Sequence, residues 1–196
     1  MSNDTSPNIA ATSTTASDTV LPLTPGDWEL DPHHSSVGFT VRHLGITKVR
    51  GRFTEFTAGL YVGETLDAVR VTSEIALASV DTGNADRDAH TRSAELLDVE
   101  KRPTMTFRST RISGEGEDWT LAGDLTIGDI TRPVTLAVEF GGVVDSPLDQ
   151  RKHSGFEASG EIRRDDFGLD FFPGLLGQVV KINLDMQFVG PQTQDA

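Results

Sequence analysis

The chain has 196 residues, no cysteine and a formal net charge of −13. These exclude a disulfide framework, a thiolate nucleophile and any Cys-based metal site, and such an acidic chain is a poor partner for nucleic acid or for stable attachment to an anionic membrane. One domain is expected at this length, and no apolar run approaches the ~20 residues of a bilayer span.

In chain order, nine of the first 19 residues are Ser or Thr, a composition that buries too little apolar surface to fold. Pro22, Pro25 and Gly26 punctuate its end, so residues 1–25 are expected to form a disordered polar tail. No Lys or Arg precedes Arg42, and no apolar stretch of about 7–15 residues is present, so a secretory signal is not expected and the cytoplasm is.

Strand periodicity then takes over. Val37, Phe39 and Val41 alternate with Ser36, Gly38, Thr40 and Arg42, the period of two of a half-buried strand. A turn is expected around residues 44–48, with extended structure resuming over 49–56. Val69, Val71, Ile75 and Leu77 share one face, opposite Arg70, Thr72 and Glu74. Asn84 suits the N-cap of a helix running to about Leu97, with Asp86 and Asp88 where the helix dipole favours negative charge. Ala85, Ala89, Ser93 and Leu96 or Leu97 would form its buried stripe, and Pro103 returns the chain to extended structure. Residues 119–127, 134–140 and 180–188 are strong strand candidates; 104–113 and 155–163 are weaker. In the last strand Val180, Ile182, Leu184, Met186 and Phe188 alternate with Lys181, Asn183, Asp185 and Gln187. The count is about eight strands and one helix. Strands of this kind stack as a sandwich or close as a barrel, and periodicity alone does not choose.

Few groups suggest chemistry. Asp31, His33 and His34 match no zinc-site spacing, and the simpler reading is that His34 and Ser35 orient a strand entry by hydrogen bonds. Asp81, Asp86, Asp88 and His90 cluster at the helix start, where they could serve as an acid/base group or as oxygen ligands; helix capping and pairing with Arg87 is the simpler reading. No G-x-S-x-G elbow, P-loop or G-x-G-x-x-G motif is present. Neither a cofactor nor a metal is expected.

The blocks also carry a resemblance. Trp28, Asp31, His34, Ser35, Val37, Phe39, His43, Gly45, Val49, Gly51 and Phe53 together resemble the opening signature of the YceI-like family of lipocalin-type, polyisoprenoid-binding proteins. Ser79, Asp81, Thr82, Gly83, Asn84, Arg87, Asp88 and His90 resemble its second signature, and residues 102–107, 123–136 and 163–169 resemble three later blocks, in the family's order. The chain departs from that pattern at Thr91, at Arg102 and in residues 169–178, a loop short and rich in apolar side chains.

The resemblance implies an all-β fold: an eight-stranded antiparallel lipocalin-like β-barrel with one inserted α-helix, over residues 26–190, with 191–196 a short tail. It also implies a non-enzymatic carrier whose lumen takes an isoprenoid or quinone-like lipid. Alternation and that architecture together point to Phe39, Val41, Phe53, Phe107, Leu125, Val138, Ile182 and Met186 along the chain of the ligand, with Arg42, His43 and Arg164 as head-group candidates. A homodimer is left open. Two other readings remain: an enzyme on a small hydrophobic substrate with Asp88 and His90 as acid and base, and a filled barrel that binds nothing.

Overall fold

The computed structural model describes residues 21–192. Their alternating segments form β1 (Gly26–Leu30), β2 (Ser36–His43), β3 (Thr47–Phe53), β4 (Phe56–Val62), β5 (Arg70–Ala76) and β6 (Val80–Asp81). After α1 (Ala85–Arg92) come β7 (Thr104–Glu115), β8 (Asp118–Ile127), β9 (Ile130–Asp145), β10 (Lys152–Arg163) and β11 (Leu176–Val189). No helix among the described residues is long and apolar enough to cross a membrane.

Six of these segments are halves of three broken strands. β2 and β1 both run antiparallel along β11, β2 over Leu176 to Asp185 and β1 at Phe188 and Val189. β3 and β4 pair with β2 and β1 in turn, and β6 and β5 pair with β3 and β4. The first break is a 3-10 turn at Pro32–His34, where proline lacks the N–H that a ladder needs. Asp31 caps it, accepting the His33 N–H at 2.9 Å and standing 2.8 Å from His34 Nδ1. Ser35 Oγ accepts the Gln187 N–H at 3.0 Å and so holds the new strand on β11.

Counted as composites, the strands number eight. β5 pairs with β7, and β7 through β11 follow as antiparallel neighbours. β1 meets both β4 and β11, so the sheet closes on itself and has no long free edge. The fold is the eight-stranded antiparallel barrel with one helix, and the sandwich is set aside.

Glycine sets how closely the wall can be lined. Phe39 lies over Gly51, its cross-strand partner, and Phe107 lies over Gly123; a Cβ at either glycine would collide with the ring. One end of the barrel is plugged by Trp28, Leu60, Val62, Val69, Trp119, Phe140 and Phe188. Both indoles there are satisfied, Trp28 Nε1 donating to the Thr24 carbonyl at 2.9 Å and Trp119 Nε1 to the Gly116 carbonyl at 3.0 Å. The hairpin β2–β3, the segment 82–103 with α1, and the loop 164–175 stand at the opposite end.

Three expectations need correction. Leu21 and Leu23 are buried in the plug, so the packed chain reaches back past the expected boundary at residue 25; residues 1–20 of the expected tail, and 193–196 of the C-terminal one, lie outside the described residues. The helix stops at Arg92 rather than near Leu97, because Ser93 turns extended and the Arg92 guanidinium bonds the Ala78 and Val80 carbonyls at 2.7 and 3.0 Å. Its buried residue is Asp88, while Ala85 and Ala89 are exposed. The helix thus docks through a polar contact, not an apolar stripe.

Candidate functional site

The barrel encloses a cavity of about 520 Å³, within the roughly 300–1,000 Å³ of small-molecule sites. Its wall is almost wholly aliphatic and aromatic. The strand pattern shows directly that the inside is unfilled. On β11 the lumen-facing Val180, Ile182, Leu184 and Met186 are only half-buried although they point inward, whereas Phe188, in the plug, is fully buried. Their accessible surface is the lumen itself. The plugged end is closed, and the cavity meets solvent among Arg87, His90, Phe172 and Leu175 at the other.

Phe39, Val41, Phe53, Phe107, Leu125, Val138, Ile182 and Met186 all border this cavity. The head-group candidates separate. His43 faces the lumen near the mouth, but Arg42, its neighbour along β2, stands exposed outside the barrel. That follows from the strand period, since adjacent residues cannot share a face. Arg42 is therefore withdrawn as a lumen residue.

Arg164 borders the cavity and is 2% exposed. It donates through Nε to the Gly177 carbonyl at 2.9 Å, through one terminal nitrogen to the Leu176 carbonyl at 3.0 Å, and through the other to the Leu169 carbonyl. Its guanidinium carbon lies 4.6 Å from the centre of the Phe171 ring. Burial pulls its pKa below the usual arginine value, with Asp165 and Asp170 acting against that pull. No carboxylate among the described residues forms an ion pair with it. Its chief work is to tie the mouth loop together, which a lysine's compact ammonium could not do in this fork geometry.

Asp88 and His90 each have a separate partner. Asp88 Oδ1 accepts the Thr82 N–H at 2.9 Å and the Thr82 hydroxyl at 2.5 Å. His90 Nε2 lies 2.9 Å from Glu95 Oε2, and its ring stands edge-on to Phe172 at 5.9 Å. Asn84 does cap α1, accepting the Arg87 N–H at 2.9 Å. Among the described residues no three His, Asp or Glu side chains converge as a metal site would need.

Sequence reasoning missed most of the mouth. Phe171, Phe172 and Leu175 border the cavity from a loop, and Leu176 from the first residue of β11, where no periodicity marks them. The only available signal was their density in residues 169–178. Thr82, Arg87 and Thr91 also border it, around α1.

A closed barrel with an unfilled, one-ended apolar lumen is the architecture of a small-molecule container of lipocalin type. Comparison with known proteins narrows the class. The YceI-like domain family matches residues 28–188, and the chain belongs to that family. It is 39% identical over 168 residues to the UPF0312 protein Ent638_1570 of Enterobacter sp. (strain 638), covering 83% of this chain and 86% of the relative. Among solved structures it is similar to BcnA of Burkholderia cenocepacia, at a TM-score of 0.72 and 19% identity over 81% of this chain and 99% of that one. It is also similar to a polyisoprenoid binding domain from Saccharophagus degradans, at a TM-score of 0.63 and 16% identity over 84% and 98% of the two chains.

Proposed function

We propose that this protein binds and carries a polyisoprenoid-type or similar long-chain amphiphile, such as a prenyl quinone, in the barrel lumen. The observation that carries the reading is the cavity of about 520 Å³, apolar-walled, that the side chains leave unfilled. A barrel evolved only for stability would fill that space, because interiors otherwise pack to crystal density. A long apolar chain suits the shape, since each buried methylene contributes roughly 0.8 kcal/mol and few polar contacts are needed. Membership of the YceI-like family and the named ligand class of the Saccharophagus degradans domain support the same class of ligand.

The chain of the ligand would lie along Phe39, Phe107, Val138 and Ile182 toward Met186, with its polar end near His43 and the two unused N–H groups of Arg164. Asp88 and His90 take no catalytic part in this reading; each already has its own partner.

Trp119 borders the lumen and supplies the test. Titration with a prenyl quinone should quench its fluorescence to saturation at about one quinone per chain, as an eight-stranded lumen has room for about one small ligand. Linear, unsaturating quenching identical to that of free tryptophan would count against lumen binding.

A further inference from the structure

The mouth is ringed by apolar side chains that the fold leaves in solvent. Ile46, at the tip of the β2–β3 hairpin, is 76% exposed, and Leu44 beside it is 51% exposed. Phe172, Leu175 and Val179 are also exposed large hydrophobics. They are one structural unit: the Leu44 N–H donates to the Leu175 carbonyl at 2.7 Å, and the Leu175 N–H to the Phe172 carbonyl at 3.1 Å. The unit borders the opening, since Phe172 and Leu175 also line the cavity.

Charge is arranged around this rim in a way the net value of −13 conceals. No Asp or Glu occurs between Asp31 and Glu55, and that stretch holds Arg42, Lys48, Arg50 and Arg52. Arg42 and Lys48 face each other across the hairpin, and Arg50 is next on the same outer face. Arg52 pairs with Asp81 at 3.1 Å, but Arg42, Lys48 and Arg50 have no carboxylate within ion-pair distance among the described residues. Nearer the plugged end, Asp118, Glu139, Glu157 and Asp185 stand in register across β8 to β11. The hairpin is therefore a local strip of unpaired cations beside the mouth of an acidic molecule.

We propose that the mouth docks transiently on an anionic phospholipid bilayer, the hairpin cations meeting phosphates while Ile46, Leu44, Phe172 and Leu175 enter the headgroup region. The proposal rests on the carrier reading for its purpose: a long apolar ligand then passes between two apolar phases without crossing water. Self-association through this face is disfavoured, because a two-fold contact would set the hairpin cations of one copy against those of the other. Contact is brief rather than stable, since Asp86, Glu95, Asp165, Asp166 and Asp170 also belong to the segments at this end and the molecule as a whole is acidic. This refines the expectation from net charge, which speaks only to stable attachment.

The test is flotation of the full chain with phosphatidylcholine vesicles, with and without phosphatidylglycerol. Binding should appear only with phosphatidylglycerol and should fall with added salt. The triple variant Arg42→Glu, Lys48→Glu, Arg50→Glu should lose about 100-fold in affinity, counting roughly fivefold for each cation lost. Ile46→Ser should weaken binding severalfold and slow uptake of a vesicle-borne prenyl quinone, with unchanged affinity for a soluble short-chain prenyl quinone in vesicle-free buffer. Both variants should keep the wild-type thermal midpoint within a degree or two, which separates lost docking from lost fold. Equal binding to both vesicle types overturns the proposal, as does a triple variant that binds like the wild type. So does a dimer that hides this face and binds no vesicle. Vesicle binding by a protein that takes up no quinone leaves the docking surface standing and removes the carrier reading instead.

Discussion

Met186→Trp discriminates a lumen from a core. Met186 sits on β11 opposite Phe156, between the plugged end and the middle of the barrel, and packs against both apolar clusters. Indole adds about six non-hydrogen atoms at a point where the inward face borders empty space. In a close-packed core such an addition typically costs about 1–3 kcal/mol. Here the added atoms enter the cavity, so urea unfolding should show a loss below about 1 kcal/mol. Ligand affinity should move the other way. If the indole excludes about three methylenes of the bound chain, at roughly 0.8 kcal/mol each, the loss is about 2.4 kcal/mol, or about 50-fold in Kd. Fluorescence titration with a prenyl quinone measures the second quantity on the same sample. A variant destabilised by 2 kcal/mol or more would show a filled interior at this depth, and a stable variant with wild-type affinity would show that the chain does not reach Met186.

Trp28→Ala removes the centre of the plug, with its hydrogen bond to Thr24 and its contacts to Gly190; the expected loss is about 3–5 kcal/mol in urea unfolding, and a loss under 1 kcal/mol would mean that end is not packed. Glu139 stands directly between Asp118 and Glu157 on neighbouring strands, so Glu139→Lys should raise stability by roughly 0.2–1 kcal/mol per relieved pair; the gain should shrink in high salt, and no gain at low salt would refute it. Asp149 is held down to about 2, first by its hydrogen bond with His153 and then by the Arg151 N–H. A carboxylate depressed in the folded state adds stability above its unfolded pKa, near 4, and loses it as pH falls through about 2. Asp149→Asn should therefore flatten the fall of thermal midpoint between those limits, and an unchanged profile would contradict the assignment.

What the sequence made legible was whatever repeats along a strand. β11 alternates through Val180, Ile182, Leu184, Met186 and Phe188, so its lumen face could be read directly, and the residues chosen by the same rule border the cavity. The rule, applied strictly, would also have separated Arg42 from His43. β4 obeys it too, through Phe56, Ala58, Leu60 and Val62, but small Ala58 and Gly59 weaken the contrast and the strand was not foreseen. β1 is five residues long with one fully buried side chain, too short for a period to show. Leu21 and Leu23 were lost in the polar composition around them, because burial in the plug is a tertiary fact with no local signal. The mouth loop was illegible for a related reason: Arg164 organises it through three backbone carbonyls, and a residue that binds carbonyls selects no particular side chains.

The central claim is that the lumen holds one long apolar molecule. Mass spectrometry of an organic extract, made from protein purified out of its native host, tests it most directly. The account predicts a co-purifying prenyl-type or similar long-chain lipid at up to about one per chain, depleted in Met186→Trp purified alongside. Protein that repeatedly extracts clean, and that takes up none of the prenyl lipids offered to it, would contradict the account.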